Sequence, residues 1–378
     1  MPSKPLPLLP GSTLGILGGG QLGRMFTIAA RTMGYKVMVL DPDPQSPAGQ
    51  MADVHLQAGY TDDTALARLA EACAAVTTEF ENVPAQSLIA LAANCRVSPD
   101  AAAVAIVQDR SHEKSWLAQH GFPTAPFALV YNEGDLDAAL ADIGTPALLK
   151  VARFGYDGKG QARIQMPADA HAAFRAFGGQ PCVLEGFVNL EHEVSVVLAR
   201  SDTGECALFP VAENRHVNGI LDVSIIPARV STSLAQQARD MAGAVADALG
   251  YVGVMAVEFF VADGRLMVNE IAPRPHNSGH YTLDACVTDQ FEQQVRALAG
   301  LPLGDTRLLS PVVMVNILGD RWENGGPHWN TLLTHPNVKL HLYGKETARA
   351  GRKMGHFNVL DADAGTALAL AERLRDAL

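Results

Sequence analysis

Two glutamates lie in apolar segments on either side of a short turn, where a shared metal ion would explain them. Glu258 belongs to the segment 257–261 and Glu270 to the segment 267–271, which we interpret as the paired strands of a hairpin. A carboxylate in such a strand is costly unless a cation or a base compensates it. Carboxylate oxygens are ligands that Mg²⁺ prefers, together with nucleotide phosphates. The alternative is two rim carboxylates in salt bridges with Arg or Lys.

The turn between these strands decides whether the two carboxylates can meet. Side chains alternate between faces along a strand, so a two-residue turn would place Glu258 and Glu270 on opposite faces. A three-residue loop, Ala262-Asp263-Gly264, with its glycine in the left-handed conformation, would put both on one face and diagonal to each other. We therefore predict that loop or an equivalent bulge.

A second set of residues has the types that bind nucleotide phosphates and bases. Lys150 ends an apolar strand, and the glycine-rich segment Gly155–Gln161, which contains Lys159, follows it. Such a loop can close over phosphates with its N–H groups, although an ordinary hairpin turn has a similar composition. The strand that runs through Glu185 into a bend would offer backbone to an adenine edge. Glu193 is spaced for ribose hydroxyls, unless it is only a solvated carboxylate.

A third pattern, G-x-G-x-x-G, is formed by Gly18, Gly20 and Gly23. It follows a strand and opens a helix, whose first N–H groups can hold a phosphate. Asp41 ends the next strand, where a dinucleotide fold often places its ribose-binding acid, so the pattern alone favours NAD. The alternative is a tight turn in any doubly wound domain. The more complete nucleotide site further along the chain favours that alternative.

The elements that must position these residues follow two rhythms. Strand-like and helix-like stretches alternate over the first hundred residues, which predicts a parallel sheet covered by helices. Short strands, an amphipathic helix and the hairpin follow, and the last part carries strands and a final helix. We predict a mixed α/β and α+β fold with an N-terminal Rossmann-like domain (1–105), a central domain (106–303) and a small C-terminal domain (304–378).

Composition narrows the classes of function that remain. The chain has 378 residues, of which 48% are hydrophobic, so a sizeable core is expected. A net charge of −11 argues against a broad surface for nucleic acid or anionic membranes. The five cysteines are scattered without a C-x-x-C pair, and the N-terminus lacks the apolar core of a signal peptide. Reduced thiols and a cytoplasmic location are therefore expected.

Taken in order, the nucleotide motifs resemble the ATP-grasp superfamily. The shared order is a strand lysine, a glycine-rich loop, a hinge strand that begins at Glu185, and two metal carboxylates with Asn269 before the second. Within it, the string Asn269–His280 is similar to the signature of the 5-(carboxyamino)imidazole ribonucleotide synthase family. The resemblance covers almost the whole chain and implies a central, two-lobed ATP-grasp domain. One departure is Lys159, where some relatives carry Arg, which keeps the charge but loses the planar fork.

The resemblance implies an enzyme, an ATP-dependent carbon–nitrogen ligase of de novo purine synthesis. Members of that family join bicarbonate to the exocyclic amine of 5-aminoimidazole ribonucleotide. Bicarbonate attacks the γ-phosphate to give carboxyphosphate, and the amine captures the carboxyl group or the CO₂ released. ATP and Mg²⁺ are the implied cofactors, a homodimer is the implied assembly, and the segment Gly155–Gly160 is the implied lid.

The resemblance also assigns roles to residues of this sequence. Mg²⁺ would be held by Glu258 and Glu270. The residues implied at the reacting groups are Lys159, Arg274, His276 and Asn277. The residues implied for ATP are Arg110, Lys150, Gly155, Tyr156, Asp157, Gly158, Lys159, Gly160, Gln161, Glu185, Gly186, Phe187, Val188, Glu193, His216, Asn269 and Glu270. The residues implied for the ribonucleotide are Gly20, Gln21, Leu22, Glu79, Tyr156, Asp157, Arg274, His276, Asn277, Ser278, Lys345 and Arg352.

Two other functions remain open on the sequence. One is a different ATP-grasp ligase or carboxylase, which a panel of substrates would separate. The other is an NAD-dependent dehydrogenase built on Gly18–Gly23 and Asp41. That second reading leaves the central part of the chain unexplained.

Overall fold

The computed structural model describes residues 6–155 and 158–378, and its N-terminal part is a five-stranded parallel sheet. The strand order is β3-β2-β1-β4-β5, and both faces are covered, which is why the strands are almost continuously apolar. The strands are β1 (Thr13–Leu17), β2 (Lys36–Leu40), β3 (Val54–Leu56), β4 (Ala75–Thr78) and β5 (Arg96–Val97). The helices are α1 (Gln21–Thr32), α2 (Asp63–Ala72), α3 (Ala85–Ala92) and α4 (Ala101–Val107).

The next part forms a small antiparallel sheet of four strands, in the order β6-β9-β7-β8. One face packs against two helices, because the inward residues of strands and helices are apolar and form one core. The strands are β6 (Phe127–Val130), β7 (Ala147–Val151), β8 (Gln161–Ile164) and β9 (Cys182–Gly186). The helices are α5 (Arg110–Gln119), which precedes this sheet, and α6 (Glu133–Ile143) and α7 (Pro167–Ala176), which cover it.

The third sheet has nine strands and extends to the C-terminal part of the chain. Its order is β15-β14-β10-β12-β13-β16-β18-β17, with β11 also paired to β10. The strands are β10 (His192–Arg200), β11 (Cys206–Leu208), β12 (Ala212–Val217), β13 (Ile220–Ile226), β14 (Gly253–Ala262), β15 (Arg265–Ala272), β16 (Val312–Leu318), β17 (Val338–Leu342) and β18 (Lys353–Leu360). The helices are α8 (Thr232–Ala248), α9 (Thr282–Ala285), α10 (Gln290–Ala299), α11 (Asn330–Leu333) and α12 (Ala364–Ala377).

The nine-stranded sheet crosses the boundary predicted at residue 303. β13 pairs with β16, with Val223 opposite Val315, and α12 packs on this half of the sheet. α10 packs on the parallel sheet through Phe291 and Val295, which ties the first and third sheets together. The predicted parallel sheet and mixed α/β composition are confirmed. Within the described residues, no helix is long and apolar enough to cross a membrane.

Candidate active site

The hairpin of β14 and β15 brings the two predicted metal carboxylates together by a route that differs from the predicted one. Ala262 pairs with Arg265, so the turn has two residues, Asp263 and Gly264, both with positive φ (50° and 67°). This turn suits the right-handed twist of the paired strands. The prediction of a three-residue loop is therefore wrong.

A bulge in β15 compensates for the short turn and returns Glu270 to the same face as Glu258. Phe259 pairs with Val268, but Glu258 pairs with Glu270, so Asn269 is an extra residue in β15. The alternative prediction of a bulge is confirmed, and the two glutamates are direct cross-strand partners rather than diagonal neighbours. Such partners have Cβ atoms about 5 Å apart. Both carboxylates therefore reach one face of the hairpin.

The surroundings of this pair fit a hard cation. Oδ1 of Asn269 is buried and has no hydrogen-bond partner among the described residues, so a third oxygen next to the carboxylates lacks a donor. No cluster of three His, Cys, Asp or Glu side chains suited to a metal occurs in the described part of the chain. Two carboxylates and an amide oxygen suit Mg²⁺, which takes its remaining ligands from phosphates and water.

Glu258 is buried and bound to His276. Its Oε1 lies 3.0 Å from Nε2 of His276. Burial opposes ionisation of Glu258, but the hydrogen bond and charge of His276, with the charges of His216 and Lys353, lower its pKa to about 2. Glu258 is therefore ionised at neutral pH.

His276 is in turn oriented by a buried chain of hydroxyl and amide groups. Its Nδ1 lies 2.8 Å from Oγ of Ser278, and Ser278 lies 2.7 Å from Oγ of Ser195 on β10. Ser195 also accepts from Nδ2 of Asn214 at 2.9 Å, and Asn214 accepts from Ser224 at 2.8 Å. Because one ring nitrogen faces Ser278 and the other faces Glu258, the ring plane of His276 is fixed.

A buried cluster of charges lies between α5, β7 and β9. Nζ of Lys150 is 2.7 Å from Oε2 of Glu185, and Nζ of Lys114 is 3.6 Å from Oε1 of the same carboxylate. Burial opposes ionisation of Glu185, but Lys150, Lys114 and Arg110 lower its pKa to about 2. Arg110 also donates from Nη2 to Glu270 at 3.2 Å. The cluster thus connects the predicted base-binding strand to the predicted metal carboxylate.

Two atoms of this cluster lack hydrogen bonds. Nη1 of Arg110 and Oε1 of Glu185 are buried and have no hydrogen-bond partner among the described residues. Buried polar groups are normally paired, so unpaired ones need an explanation. The Glu185 side chain faces Lys150, and the backbone of β9 is paired with β6 and β7, so the predicted base contacts fall on the residues after β9, Phe187 and Val188. Phe187 is exposed and lies under the guanidinium of Arg163.

A pocket of about 370 Å³ opens between β10 and β12 and contains the predicted ribose-binding residue. Oε2 of Glu193 lies 3.1 Å from Nδ1 of His216. Burial lowers the pKa of His216, but the hydrogen bond to Glu193 and the charge of Glu258 outweigh it and raise the pKa above its ordinary value. The structure therefore brings Glu193 and His216 together, close to Glu258 of the predicted metal pair.

The glycine-rich segment connects β7 to β8. Gly158 and Gly160 have φ of 76° and 72°, and the N–H of Val151 donates to the carbonyl of Gly160 at 2.8 Å. Gly158 leaves no room for a side chain, because an added Cβ would lie 2.8 Å from the carbonyl oxygen of Asn218. Lys159 is exposed. Of the predicted residues in this segment, Tyr156 and Asp157 lie outside the described residues.

The first glycine loop is filled by acidic side chains. Glu79 accepts the N–H groups of Gly20 and Gly23 at 2.5 and 2.6 Å, and Asp41 accepts the N–H of Gly19 at 2.6 Å. A dinucleotide pyrophosphate at this helix start would meet two carboxylates instead of free donors. This arrangement argues against the NAD hypothesis.

Residues from both ends of the chain line a pocket of about 230 Å³ beside this loop. Glu79 and Gly20 meet Lys345 and Arg352 there. Nζ of Lys345 donates to Oε1 of Gln21 at 2.5 Å. Lys345 and Arg352, both predicted to contact the ribonucleotide, thus lie beside the glycine loop, and their contact with that ligand stays a prediction. Leu22, by contrast, has its side chain in the core under α1.

The segment after β15 is held by partners from outside the central part. Nε of Arg274 lies 2.5 Å from Oε2 of Glu81, which follows β4. The side-chain amide of Asn277 exchanges two hydrogen bonds with that of Asn316 on β16, at 2.7 and 3.0 Å. Asn277 therefore faces the C-terminal part of the chain.

Three known protein families each match one part of this chain. Residues 12–108 match a ribonucleotide synthetase preATP-grasp domain, 115–291 an ATP-grasp domain, and 312–370 a phosphoribosylaminoimidazole carboxylase C-terminal domain. A Brucella melitensis protein named N5-carboxyaminoimidazole ribonucleotide synthase is 49% identical over 92% of this chain and 96% of its own length.

Two solved structures are similar over nearly the whole chain. The Staphylococcus aureus N5-carboxyaminoimidazole synthetase in complex with ADP has a TM-score of 0.91 and 38% identity, over 97% of this chain and 98% of its own. The Aspergillus clavatus synthase in complex with ADP and 5-aminoimidazole ribonucleotide has a TM-score of 0.90 and 30% identity, over 98% and 99%. This chain belongs to the N5-carboxyaminoimidazole ribonucleotide synthase family. The predicted family, ATP-grasp fold and ligase class are confirmed.

Membership of the N5-carboxyaminoimidazole ribonucleotide synthase family is consistent with both pockets, one containing residues predicted for ATP and the other residues predicted for the ribonucleotide. The residues predicted to bind ATP lie between the four-stranded sheet and the hairpin. The pocket beside Glu79 lies between the first glycine loop and the C-terminal part. His276, bonded to Glu258, and Arg274, bonded to Glu81, link the two regions. The assignment of individual residues to ligands stays a prediction.

Sequence reasoning missed Glu113 and Lys114. Both are buried, and each contacts the backbone of β15: Glu113 accepts from Ile271 at 2.6 Å, and Lys114 donates to Asn269 at 2.8 Å. Their helix, α5, is rich in polar residues, which normally indicates a solvated helix. A usable signal was their spacing from the buried Leu117, three and four residues away, which puts both on the buried face of α5.

Proposed function

We propose that this chain carboxylates 5-aminoimidazole ribonucleotide with bicarbonate and ATP, giving 5-(carboxyamino)imidazole ribonucleotide, ADP and phosphate in de novo purine synthesis. The observation that carries the proposal is the short path between two sites. Glu258, of the proposed metal pair, hydrogen-bonds His276, and the Arg274–Ser278 segment follows β15, the strand that carries Glu270, and extends towards the ribonucleotide pocket. The ATP site and the acceptor site would therefore share one wall.

The first step would be phosphoryl transfer from ATP to bicarbonate. A bicarbonate oxygen attacks the γ-phosphorus, the bond to the ADP oxygen breaks, and carboxyphosphate forms. Mg²⁺, held by Glu258 and Glu270, would neutralise charge on the phosphates. Lys150 and Lys159 would add positive charge, and Glu185 would keep Lys150 in place. Arg110, Phe187, Val188, Glu193 and His216 would surround the nucleoside.

The second step would be capture of the activated carboxyl group. The exocyclic amine attacks the carboxyl carbon, phosphate leaves, and the amine loses a proton. Arg274, whose Nε is bound to Glu81 and whose Nη1 donates to the carbonyl of Pro275, would hold bicarbonate or phosphate through its remaining N–H groups. His276 would position bicarbonate or accept the proton. Carboxyphosphate hydrolyses readily, so the glycine segment after Lys150 would close over it.

The ribonucleotide would bind in the pocket beside the first glycine loop. Gln21, Lys345 and Arg352 would hold its phosphate, and Glu79 would meet the aminoimidazole. Because Glu79 already takes two amides of the helix start, the phosphate would depend on the basic side chains more than on the helix. Ser278 and Asn277 would act as supports on the other side.

The decisive experiment is phosphate release from ATP, measured with and without the ribonucleotide and bicarbonate. We expect release to require both, with stoichiometric formation of carboxylated product. Release that does not depend on the ribonucleotide would contradict the proposal. A panel with other amines and with formate would then identify the acceptor.

We also propose a homodimer, a cytoplasmic location and domain limits near residues 105 and 303. The free cysteines are compatible with a reducing compartment. The matches that end at residue 108 and begin at residue 312 support similar limits. Light scattering on the purified chain tests the dimer, and a monomer mass would contradict it.

A further inference from the structure

β15 is the edge strand of the nine-stranded sheet, and its outer backbone groups need partners. The N–H of Val268 donates to the carbonyl of Pro123 at 2.7 Å, and this is where backbone pairing on that side stops. Beyond it, two side chains of α5 take over. Nζ of Lys114 donates to the carbonyl of Asn269 at 2.8 Å, and Oε1 of Glu113 accepts the N–H of Ile271 at 2.6 Å.

These two contacts flank Glu270 on both sides. Asn269 is the bulge residue and Ile271 is the first residue after Glu270, so both peptide units around the carboxylate are fixed from α5. A bulge leaves its extra residue outside the strand ladder, and an edge strand adds further freedom. Without the α5 contacts, the direction of the Glu270 side chain would be set by β14 alone.

Charged side chains are costly on the buried face of α5. Apolar residues at positions 113 and 114 would pack this helix against β15 without that cost. Glu113 is 3% exposed and Lys114 is 0% exposed. Charges at such depth are kept where they are paired and hydrogen-bonded. Lys114 is paired with Glu185, whereas burial raises the pKa of Glu113 to about 7 against the opposing charges of Arg110 and Lys114. The same residues thus connect the base-binding strand β9 to the strand that carries Glu270.

We infer that Glu113 and Lys114 are positioning residues, which hold the bulged strand around Glu270 and so set where its carboxylate meets the cation of the nucleotide. The inference rests on the proposed role of Glu270. Removal of these contacts is expected to weaken the use of Mg²⁺ while leaving the ribonucleotide pocket intact. Loss of an outer contact of a metal ligand commonly weakens metal binding by about 10- to 100-fold.

The test uses four full-length variants. Glu113→Ala removes the acceptor, Lys114→Met removes the donor with similar length, and Glu113→Gln keeps an acceptor oxygen for Ile271. His112→Ala, on the exposed face of the same helix, is the matched control. We expect Glu113→Ala and Lys114→Met to raise the Mg²⁺ concentration for half-maximal phosphate release about tenfold, with the ribonucleotide KM unchanged within twofold. Glu113→Gln and His112→Ala should stay near wild type.

Two readouts that do not need turnover complete the test. Hydrogen exchange of the peptide 265–272 should be faster in Glu113→Ala than in His112→Ala. The Mg²⁺-dependent part of ADP affinity, measured by calorimetry, should fall in both disruptive variants. Normal Mg²⁺ dependence and normal exchange in these variants would overturn the inference. If Glu113→Ala raises the Mg²⁺ requirement and Glu113→Gln raises it equally, the lost backbone contact is not the cause.

The inference and the proposed function can fail separately. If wild-type phosphate release does not depend on the ribonucleotide, the proposed function fails, and exchange and ADP binding still decide the role of Glu113 and Lys114. If Lys114→Met does not fold, Glu113→Ala with its Gln counterpart decides the question.

Discussion

The two carboxylates of the hairpin have unequal surroundings, although they are direct partners across the strands. Glu258 is buried and bonded to His276, whereas Glu270 is half-buried and bonded to Arg110. Glu258 is thus fixed before any ligand binds, and Glu270 is the more exposed of the two. We therefore expect the two residues to tolerate substitution differently, with Glu258 contributing to stability as well as to activity.

Replacement of Glu270 by Ala should nearly abolish turnover without unfolding the chain. The carboxylate is half-buried, so its loss leaves no large cavity, but the phosphates lose a proposed cation ligand. We expect a fall in kcat of about 10²- to 10³-fold, the size seen when one electrostatic contact to the transition state is lost. Steady-state kinetics and circular dichroism provide the measurement, with the exposed Glu71→Ala as control. A wild-type rate would remove the metal role.

Replacement of Glu81 by Gln should loosen Arg274. The part-buried guanidinium would lose its carboxylate partner at 2.5 Å and keep only a neutral acceptor. We expect the KM for bicarbonate to rise about tenfold, the size of one lost charged hydrogen bond, with a smaller change for the ribonucleotide. Bicarbonate saturation curves measure this effect. Glu133→Gln, which breaks the exposed pair with Arg175, is the control and should change little. An equal rise for both substrates would point to general loosening instead.

At this scale, the sequence predicted that Glu258 and Glu270 share one face of the hairpin, because strand parity is strict, but it predicted diagonal neighbours rather than direct partners. It did not predict the two-residue turn, because Asp263 adopts a left-handed conformation that few residues other than Gly accept. Glu113 and Lys114 could not be assigned from their type, since charged helix residues are mostly solvated. The buried amides of the first glycine loop were assigned to phosphate, whereas a distant carboxylate, Glu79, accepts two of them.

At the scale of elements, the parallel sheet of the first hundred residues was predicted, because its strands are apolar runs that alternate with helical stretches. β1 and β2, for example, each bury four of their five residues. β12 (Ala212–Val217) was not predicted, because four consecutive polar residues separate its apolar ends and their partners come from elsewhere in the fold, such as Arg229 for Glu213. Tertiary pairing decides such strands, and their local sequence does not.

A group of histidines packs between β17, β18 and the segment after β15, and it predicts sensitivity to acid. His280 and His356 are fully buried with ring centroids 4.9 Å apart, and burial lowers the pKa of both well below 6.5. Both are neutral in the folded chain, whereas the unfolded chain protonates them near pH 6.5. Their contribution to stability is therefore complete above about pH 6.5 and is lost as the pH falls below it.

Replacement of His356 by Gln should make stability less dependent on pH between 7.5 and 5.5. We expect the free energy of unfolding of the wild type to fall more steeply towards low pH than that of the variant, by about 1 kcal/mol per pH unit. Urea unfolding at several pH values measures the two slopes. The exposed His112→Gln should keep the wild-type slope. Parallel slopes for His356→Gln and wild type would show that His356 is protonated in the folded state.

At the scale of the whole molecule, one sheet carries both the proposed metal carboxylates and the strands of the C-terminal part. β13 and β16 pair in its middle, and their side chains form a core with α12. A sheet of this kind cannot lose one half without exposing an unpaired strand of buried residues. The central and C-terminal parts are therefore expected to unfold together.

Replacement of Val315 by Ala tests this coupling. Val315 is fully buried, so the change should cost roughly 1–3 kcal/mol through lost burial and a small cavity. We expect the slow, globally protected amides of the peptides 253–262 and 353–360 to exchange faster by the same factor. Ala substitution of the exposed Val54 on β3 should leave both peptides unchanged. Faster exchange confined to 353–360 would show that the two parts unfold separately.

The bulge at Asn269 makes the hairpin sensitive to length as well as to residue type. One extra residue decides the face on which Glu270 emerges, so a deletion at this point would turn every later side chain of β15 over. During divergence, a substitution at position 269 would be accepted or rejected according to its side chain. A single-residue insertion or deletion between Glu258 and Glu270 would be rejected because it moves Glu270 to the other face of the strand. A paired change, one residue lost from the bulge and one gained in the turn, is the kind of length change that this segment could survive.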